Sequence, residues 1–369
     1  MTIQDGRFAH LLAMLLWSCC SIGLCNAAAW AEEPVEQTDV FVGGTEGYHS
    51  YRIPAVVLVG DHTLLAFCEG RKNGRGDTGD IDLMLRRSTD GGKTWQPMQL
   101  VYEEGDTAKI TIGNPCPVVD RTSGTIWLPF CRNNDRVLVT HSTDDGRTWA
   151  SPVEITPDVK QPDWGWYATG PGHGIQLRSG RLVVPCDHRA KSEIQDRAWK
   201  LGGRSHVVYS DDHGKTWRLG GVTAPRMNEC EVVELADKSL LLSMRNHFGN
   251  SLRAFASSTD GGMTWSTPEH HQQVYCPTCQ SSLHRYTLDP KPRILYSGPG
   301  GPGRNRMTIR LSSDEGKTWP VAKVLYEGSA AYSDLVVLPD GTIGCLYERD
   351  DYGKITFARF TVAWLSGIE

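Results

Sequence analysis

The chain has 369 residues, with 38 Lys and Arg against 43 Asp and Glu and a net charge of −5. Because the charge is nearly balanced and no block of one sign stands out, nucleic acid and anionic membranes are excluded as main partners. The 39 Gly, 20 Pro and 12 Trp indicate many turns between short strands, which excludes a mainly helical fold.

The first segment of the chain is apolar from Phe8 to Leu24 and continues into the small-residue sequence Ala29-Trp30-Ala31. This is the pattern of a secretory signal peptide that is cleaved before Glu32. An uncleaved anchor helix is the alternative, although the apolar run is short for a membrane span. We therefore predict a signal peptide over residues 1–31, export to the periplasm or the medium, and no membrane span after cleavage.

Five copies of the pattern Ser-x-Asp-x-Gly-x-Thr-Trp follow along the chain, each preceded by a strand-like run. The copies are Ser88–Trp95, Ser142–Trp149, Ser210–Trp217, Ser258–Trp265 and Ser312–Trp319. An Asp followed two residues later by Gly favours a tight turn, in which the carboxylate accepts backbone N–H bonds and the Gly adopts a positive φ. The Thr-Trp pair then begins the next strand, and we expect the indole to cover the apolar face of the hairpin.

Short apolar runs bounded by Gly, Asp and Asn occupy the rest of the chain, and no stretch shows sustained helical periodicity. A repeat of about 50 residues cannot bury one sheet alone, whereas repeats stacked around an axis can. The sequence therefore predicts an all-β fold with one domain over residues 32–369.

The five copies resemble the Asp boxes, or BNR repeats, of sialidases and of some other β-propellers. The resemblance to sialidases extends from about Asp39 to Trp364. It implies a six-bladed β-propeller with four-stranded antiparallel blades, in which the boxes are structural and lie far from the chemistry. Since Asp boxes also occur in non-enzymatic propellers, function has to be inferred from other residues.

Three arginines lie in settings similar to those with which sialidases bind the carboxylate of their substrate. Arg52 lies in Tyr-Arg-Ile-Pro, Arg245 in Ser-Met-Arg-Asn, and Arg304 in Gly-Arg-Asn-Arg. A guanidinium suits this task because it binds a carboxylate with two hydrogen bonds and keeps its charge. Arg306 is a close competitor of Arg304, and Arg310 is a weaker one.

Tyr332, in Ala-Ala-Tyr-Ser-Asp-Leu, resembles the nucleophile of the family. A phenol is a weak nucleophile at its ordinary pKa and needs a base in hydrogen-bond contact. Glu229, which precedes the second arginine in the sequence, occupies the position of the activating glutamate of the family. Glu231 and Glu234 are the alternatives for this role.

Asp77, in Arg-Gly-Asp-Thr-Gly-Asp, matches the acid/base residue that the family carries on a loop before the first Asp box. Asp80 and Asp82 are its neighbours and competitors. Arg71 resembles a further substrate-binding arginine, and Glu348 resembles the glutamate that orients the first arginine. A surface ion pair is the alternative interpretation for these last two.

Several other features carry less weight. Cys276 and Cys279 have the spacing of half a metal site but no matching second pair, so a loop disulfide or two buried thiols are favoured over zinc. The Gly-rich segment 169–174 follows an aromatic loop instead of a strand, which excludes a nucleotide cradle. The aromatic residues of segment 164–167 either line a pocket or pack in the core. We expect no cofactor and no catalytic metal.

The resemblance implies an exo-α-sialidase that removes terminal α-linked sialic acid from glycoconjugates with retention of configuration. One alternative is a related exo-glycosidase for a deaminated sialic acid, and another is a non-catalytic Asp-box propeller that binds glycans. The joint presence of Tyr332, Glu229 and Asp77 favours an enzyme, because a binding protein needs only the arginines. The expected partners are sialylated glycans, and the expected state is a monomer.

Overall fold

A computed structural model describes residues 35–194, 201–287 and 291–367. The predicted signal peptide at residues 1–31 lies outside these ranges. Across the described part of the chain, the secondary structure comprises 25 strands, two short α-helices and one 3₁₀ turn. No helix within these ranges has the length and hydropathy that a membrane span requires.

The strands are numbered in chain order. The first thirteen are β1 (Glu36–Val42), β2 (Ser50–Val59), β3 (Thr63–Arg71), β4 (Ile81–Ser88), β5 (Gln99–Tyr102), β6 (Ile112–Gly113), β7 (Val118–Val119), β8 (Ile126–Arg132), β9 (Arg136–Ser142), β10 (Val153–Glu154), β11 (Trp164–Thr169), β12 (Ile175–Gln176) and β13 (Leu182–Ala190). The others are β14 (Arg204–Ser210), β15 (Arg218–Val222), β16 (Met227–Glu234), β17 (Leu240–Asn246), β18 (Leu252–Ser258), β19 (Glu269–Tyr275), β20 (Ser282–Thr287), β21 (Arg293–Pro299), β22 (Asn305–Ser312), β23 (Val321–Val337), β24 (Ile343–Arg349) and β25 (Lys354–Phe360). Helix α1 spans Thr156–Val159, α2 spans Val362–Ser366, and the 3₁₀ turn spans Lys191–Glu193.

These strands form antiparallel sheets in a propeller-like, all-β arrangement. Strands β2 to β5 make one four-stranded sheet in chain order, and β16 to β19 make another. Two five-stranded sheets contain β6 to β10 and β11 to β15, and a seven-stranded sheet has the order β1-β25-β24-β23-β22-β21-β20. Most connections therefore join neighbouring antiparallel strands, as expected of a chain rich in turn residues.

The hydrogen bonds form five sheets, whereas the sequence predicted six. The difference arises at β23, a single strand of 17 residues. Its first part, up to Ser329, pairs with β22, and its second part, from Ala330, pairs with β24. Because the strand continues without a break, the two pairings join into one seven-stranded sheet. Strand β1 completes that sheet by pairing with β25, so the two ends of the described chain lie on neighbouring strands.

All five Asp-box turns have the hydrogen bonds that the sequence predicted. In the first box, Ser88 Oγ donates to Asp90 Oδ1 at 2.7 Å and accepts from the backbone N–H of Gly92 at 2.8 Å. The Asp90 carboxylate also accepts from the backbone N–H and the hydroxyl of Thr94, at 3.0 and 2.6 Å. Gly92 has φ +87°, and a Cβ at this position would lie 2.2 Å from the ring of Phe357, so the turn and the packing both require glycine.

The tryptophan of each box packs between two sheets, which extends its predicted role as a cover for its own hairpin. Trp95 contacts Phe357 of β25 edge to face, with 5.3 Å between ring centroids. Trp149 makes the same kind of contact with Phe67 of β3, at 5.7 Å. These contacts lie within apolar clusters that draw residues from two sheets. The boxes therefore connect neighbouring sheets. Within the described chain, no hydrogen bond joins a box residue to a predicted site residue.

The box carboxylates make the stability of the protein sensitive to acid. Partial burial opposes ionisation of Asp90, but hydrogen bonds from Thr94 and Ser88 lower its pKa to about 2. Because the folded-state pKa lies below the ordinary value, this group stabilises the fold above about pH 4, and the contribution is lost as the pH falls through about 2. We expect Asp90→Asn to lower the melting temperature at pH 5. We also expect the melting temperature of this variant to fall less than that of the parent when the pH is lowered from 5 to 2.5.

The measurement is thermal unfolding by circular dichroism at both pH values. The exposed turn residue Asp61 provides a matched control, since Asp61→Asn removes a carboxylate outside a box. An equal acid-induced drop in the parent and in Asp90→Asn would contradict the assignment.

Candidate active site

The eight residues that the sequence singled out come together at one place in the fold. They are Arg52 on β2, Arg71 at the end of β3, Asp77 in the loop before β4, Glu229 on β16, Arg245 on β17, Arg304 just before β22, Tyr332 on β23 and Glu348 on β24. Hydrogen bonds, ion pairs and ring contacts link all eight into one cluster, although they are dispersed over most of the sequence.

Arg52 is directed into this cluster by an irregularity in β2. The register of β2 against β3 shifts between Arg52 and Ala55, and the intervening Ile53 has φ +60°. A β-branched residue rarely adopts this left-handed conformation, so surrounding contacts must stabilise it. Glu348 supplies them: its Oε1 accepts from Arg52 Nε at 2.6 Å and from the backbone N–H of Ile53 at 2.9 Å. Since Glu348 is fully buried, this pairing also fixes the guanidinium.

Tyr332, Glu229 and Arg245 are in mutual contact. The Tyr332 hydroxyl donates to Glu229 Oε1. Arg245 Nη1 donates to Glu229 Oε2 at 2.7 Å and to the Tyr332 hydroxyl at 3.0 Å. Glu348 Oε2 accepts from the backbone N–H of Tyr332 at 3.1 Å, which links this group to Arg52. A phenol thus lies between a carboxylate that can accept its proton and a cation that stabilises the resulting phenolate.

Electrostatics assign the proton of this pair to the tyrosine at rest. Burial opposes ionisation of Glu229, but the charge of Arg245 and the hydrogen bonds from Tyr332 and Arg245 hold its pKa below the ordinary value. Burial and the charge of Glu229 raise the pKa of Tyr332 well above its ordinary value. The resting pair is therefore a neutral phenol and a charged carboxylate, the protonation state in which Glu229 can act as a base.

The alternatives to Glu229 lie elsewhere. Glu231 is fully buried; its Oε2 lies 2.8 Å from Ser282 Oγ and accepts from the backbone N–H of Leu283 at 2.7 Å. Glu234 accepts from the backbone N–H of Arg178 at 2.9 Å. Of the three glutamates, Glu229 is the one that contacts Tyr332 within the described chain.

Arg304 reaches the cluster, and its competitors do not. Its guanidinium carbon lies 5.4 Å from the centroid of the Tyr332 ring, and its Nη1 donates to the hydroxyl of Tyr352 at 3.1 Å. Arg306 is half exposed and pairs with the exposed Glu327 at 3.3 Å. Arg310 lies within β22, opposite Tyr296 of β21.

Asp77 lies at the exposed edge of the cluster. Its carboxylate, 85% exposed, accepts from Arg71 Nη1 at 2.8 Å and lies 4.0 Å from Arg52 Nη1. The competing carboxylates Asp80 and Asp82 are buried and pair with Lys72, at 3.2 and 3.1 Å. Asp77 is therefore the loop carboxylate that remains open to solvent beside the arginines.

Two residues of the cluster were missed by the sequence analysis. The ring of Tyr352 lies 4.0 Å from the guanidinium carbon of Arg52, so Tyr352 contacts both Arg52 and Arg304. Glu69 is buried and binds Arg71 through Nε and Nη2, at 3.0 and 2.6 Å. Glu69 was detectable as a carboxylate two residues before Arg71 on the same face of a strand, whereas Tyr352 lies in a turn without a recognisable pattern.

The structure also places the cysteine pair and the aromatic segment. Cys276 and Cys279 are buried free thiols without a disulfide between them, and all eight cysteines of the described chain are free. Tyr167 belongs to an apolar core cluster, whereas Trp164 belongs to the same cluster and also lines a cavity that contains none of the eight site residues. Trp164 stacks on His188 with 3.3 Å between ring centroids.

A cavity of about 490 Å³ opens beside Arg71, lined by Gly76, Asp80 and other residues of the loop that carries Asp77. A larger cavity of about 670 Å³, lined by Lys160, Trp164 and neighbouring polar residues, contains none of the eight predicted site residues. We assign the function to the arginine and tyrosine cluster and not to the larger cavity, because the cluster places a phenol in contact with both a carboxylate and a guanidinium.

The sequence of the chain is similar to a known domain family and to several known proteins. A BNR repeat-like domain matches residues 62–345. A sialidase from Micromonospora viridifaciens is 36% identical over 98% of the chain and 60% of its own length. Sialidase-2 from Mus musculus is 32% identical over 86% of the chain and 93% of its own length.

A solved structure, Hadza microbial sialidase Hz136, is 30% identical and superposes with a TM-score of 0.81, covering 89% of the chain and 69% of its own length. The chain spans about 60% of the length of the Micromonospora relative and of a Bacteroides fragilis sialidase.

Proposed function

Because the chain belongs to the sialidase family, we propose that it is an exo-α-sialidase that hydrolyses terminal α-linked sialic acid with retention of configuration. The observation that carries the proposal is the contact between Tyr332, Glu229 and Arg245 beside two further arginines. This group combines a nucleophile, its base and a binding site for a carboxylate, which a glycan-binding propeller would not need.

The three arginines bind the carboxylate of the sugar at its anomeric carbon. Arg52 and Arg304 both contact Tyr352, and each has its guanidinium carbon 5.4 Å from the centroid of the Tyr332 ring. Arg245 contacts the Tyr332 hydroxyl itself. With its carboxylate held in this way, the sugar presents its anomeric carbon to the Tyr332 oxygen. These two reacting atoms are therefore aligned before the reaction.

In the first step, the Tyr332 oxygen attacks the anomeric carbon while its proton passes to Glu229. The bond to the departing sugar breaks, and Asp77 gives its proton to the leaving oxygen. In the second step, Asp77 takes a proton from water, and the water oxygen attacks the anomeric carbon. The bond to Tyr332 then breaks, and Glu229 returns the proton to the phenol. Two displacements at the same carbon give retention, and a tyrosine in place of the usual second carboxylate avoids repulsion with the substrate carboxylate.

The test is release of 4-methylumbelliferone from its α-sialoside by purified residues 32–369. Release supports the proposal. If a folded protein releases nothing, the deaminated sialoside comes next: its cleavage would identify the related exo-glycosidase, and failure there would favour the glycan-binding propeller.

The arginine assignment makes a separate prediction. Arg304→Ala removes one cation from the carboxylate site, and a lost hydrogen bond to a charged group costs about 1.5–3 kcal/mol. We expect kcat/KM to fall roughly 10- to 100-fold, since about 1.4 kcal/mol corresponds to a tenfold change. Arg306→Ala, which removes an exposed charge two residues away, is the matched control and should retain the parent kcat/KM. Equal losses in the two variants would contradict the assignment.

The same proposal includes the number of blades, the role of residues 1–31, the substrates and the oligomeric state. We propose six blades, in which the two pairings of β23 belong to successive blades, with β1 closing the last one. We also propose that residues 1–31 direct export to the periplasm or the medium and are removed, that the substrates are sialylated glycans, and that the protein is a monomer. Amino-terminal sequencing of the exported protein should then begin at Glu32.

A further inference from the structure

The two strands that carry Glu229 and Tyr332 also carry a pair of buried carboxyl groups, each two residues further along its strand. Glu231 follows Glu229 by two residues on β16, and Asp334 follows Tyr332 by two residues on β23. Each strand has a register irregularity beside the first member of its pair, between Met227 and Cys230 on β16 and between Ala330 and Ser333 on β23, so the second members mark where regular pairing resumes. Strands β16 and β23 belong to different sheets, and no ladder of backbone hydrogen bonds sets the distance between them.

Ser282 of β20 joins the two carboxyl groups. Its Oγ lies 2.8 Å from Glu231 Oε2 and 3.1 Å from Asp334 Oδ1, and it accepts from the backbone N–H of Leu335 at 3.0 Å. One hydroxyl has a single hydrogen, so it cannot donate to both carboxylates. One of the two carboxyl groups must therefore supply the hydrogen of the second contact. Burial and the charge of Asp334 raise the pKa of Glu231 well above its ordinary value, so Glu231 is the group that carries this hydrogen.

Gln280 makes the second connection. Its side-chain amide pairs with the backbone of Ser333, the residue between Tyr332 and Asp334, as a neighbouring strand would. Oε1 accepts from the N–H of Ser333 at 3.0 Å, and Nε2 donates to its carbonyl at 3.0 Å. Nε2 also lies 3.2 Å from Glu231 Oε1. The backbone beside the nucleophile is thereby tied to the strand that carries the base.

The network is closed and fully buried. Asp334 accepts from the backbone N–H of Val56 on β2 at 2.7 Å and pairs with His173 Nδ1 at 2.7 Å. Although burial opposes it, the charge of Asp334 raises the pKa of His173 to about 9, so an imidazolium compensates the carboxylate. The ligand atoms of His173, Glu231 and Asp334 lie within 4.8 Å of one another, but hydrogen bonds already engage them. A buried polar network this well satisfied specifies one arrangement of its strands.

We propose that this buried bridge, formed by Glu231, Gln280, Ser282 and Asp334, positions Tyr332 against Glu229. The four are positioning residues, because they touch neither the substrate nor the reacting atoms. The bridge fixes the distance between β16 and β23, and with it the distance across which the proton passes from phenol to carboxylate. This inference rests on the proposed function only for its kinetic consequence.

The test is Ser282→Ala, which removes one hydroxyl from the bridge. A misplacement of about 1 Å between reacting groups can cost 10²-fold in rate, so we expect kcat to fall about 10- to 100-fold with little change in KM. A crystal structure of the variant should show the Tyr332 hydroxyl and Glu229 beyond hydrogen-bond distance. Gln280→Met, which keeps the volume and removes the hydrogen bonds, should have the same two effects.

Ser312→Ala is the matched control. Ser312 is equally buried and has an equivalent pair of hydrogen bonds, to Asp314 at 2.8 Å and from Gly316 at 2.9 Å, but it lies in an Asp box. It should lose stability and keep its kcat. The bridge proposal is overturned if Ser282→Ala has the kcat of Ser312→Ala, if its loss lies in KM alone, or if the Tyr332–Glu229 contact is preserved. An inactive parent would refute the proposed function, and the crystallographic distance would then decide the bridge by itself.

Discussion

Replacing Tyr332 by Phe is expected to lower kcat roughly 10³-fold, which corresponds to about 4 kcal/mol of barrier. The variant loses the nucleophilic oxygen and leaves Glu229 without the proton that it is placed to accept. The carboxylate site remains, because Arg52 is held by Glu348 independently of the phenol hydroxyl. KM should therefore change far less than kcat, since binding of the substrate and its chemistry depend on different atoms.

Tyr347→Phe is the control for this experiment. Tyr347 is buried like Tyr332 and also donates one hydrogen bond, to Gln37 at 2.8 Å, but it lies outside the cluster. Both variants lose one buried hydroxyl, so their melting temperatures should fall by similar amounts. If Tyr332→Phe retained the kcat of Tyr347→Phe, Tyr332 would not be the nucleophile.

Replacing Asp77 by Ala should have an effect that depends on the leaving group. Asp77 is the exposed carboxylate at the edge of the arginine cluster, on the side open to solvent and hence to the departing sugar. General acid catalysis contributes about 10²- to 10⁴-fold. We expect a loss in this range for a sialyl oligosaccharide, whose sugar leaves poorly without a proton. A smaller loss is expected for the 4-methylumbelliferyl sialoside, whose phenol leaves readily.

Asp61→Ala provides the comparison, since it removes an exposed loop carboxylate away from the cluster. Initial rates on both substrates give the ratio that decides the role. Equal losses on the two substrates would mean that Asp77 binds substrate or positions Arg71 instead of protonating the leaving oxygen.

The sequence was most informative where local chemistry decides the structure. An Asp, a Gly and a Ser at fixed offsets determine a turn by themselves, and all five Asp boxes fold as predicted. The count of sheets was not predictable in this way. It depends on whether β23 continues through the segment at Ser329, and that is decided by pairing with β22 on one side and β24 on the other.

All eight predicted positions come together in the structure, but it was the family resemblance and not the strand pattern that distinguished them from neighbouring residues of the same type. Glu229 and Glu231 are two residues apart, the spacing of side chains on one face of a regular strand, so sequence periodicity cannot tell which of them reaches Tyr332. The structure separates them: one contacts the phenol and the other the buried hydroxyl of Ser282. Tyr352 was unpredictable because a turn with positive φ at three successive residues, Asp350 to Tyr352, brings it into contact with two arginines.

Covalent trapping tests the central claim most directly. A 3-fluorosialosyl fluoride should react with the parent by loss of fluoride and formation of a bond from Tyr332 to the anomeric carbon. Fluorine next to that carbon slows the second step, so the adduct accumulates. Mass spectrometry of the tryptic peptide from Val324 to Arg349 should show the added sugar, and fragmentation should place it on Tyr332 and on neither Tyr326 nor Tyr347. An adduct on another residue, or none on an enzyme that hydrolyses sialosides, would contradict the account.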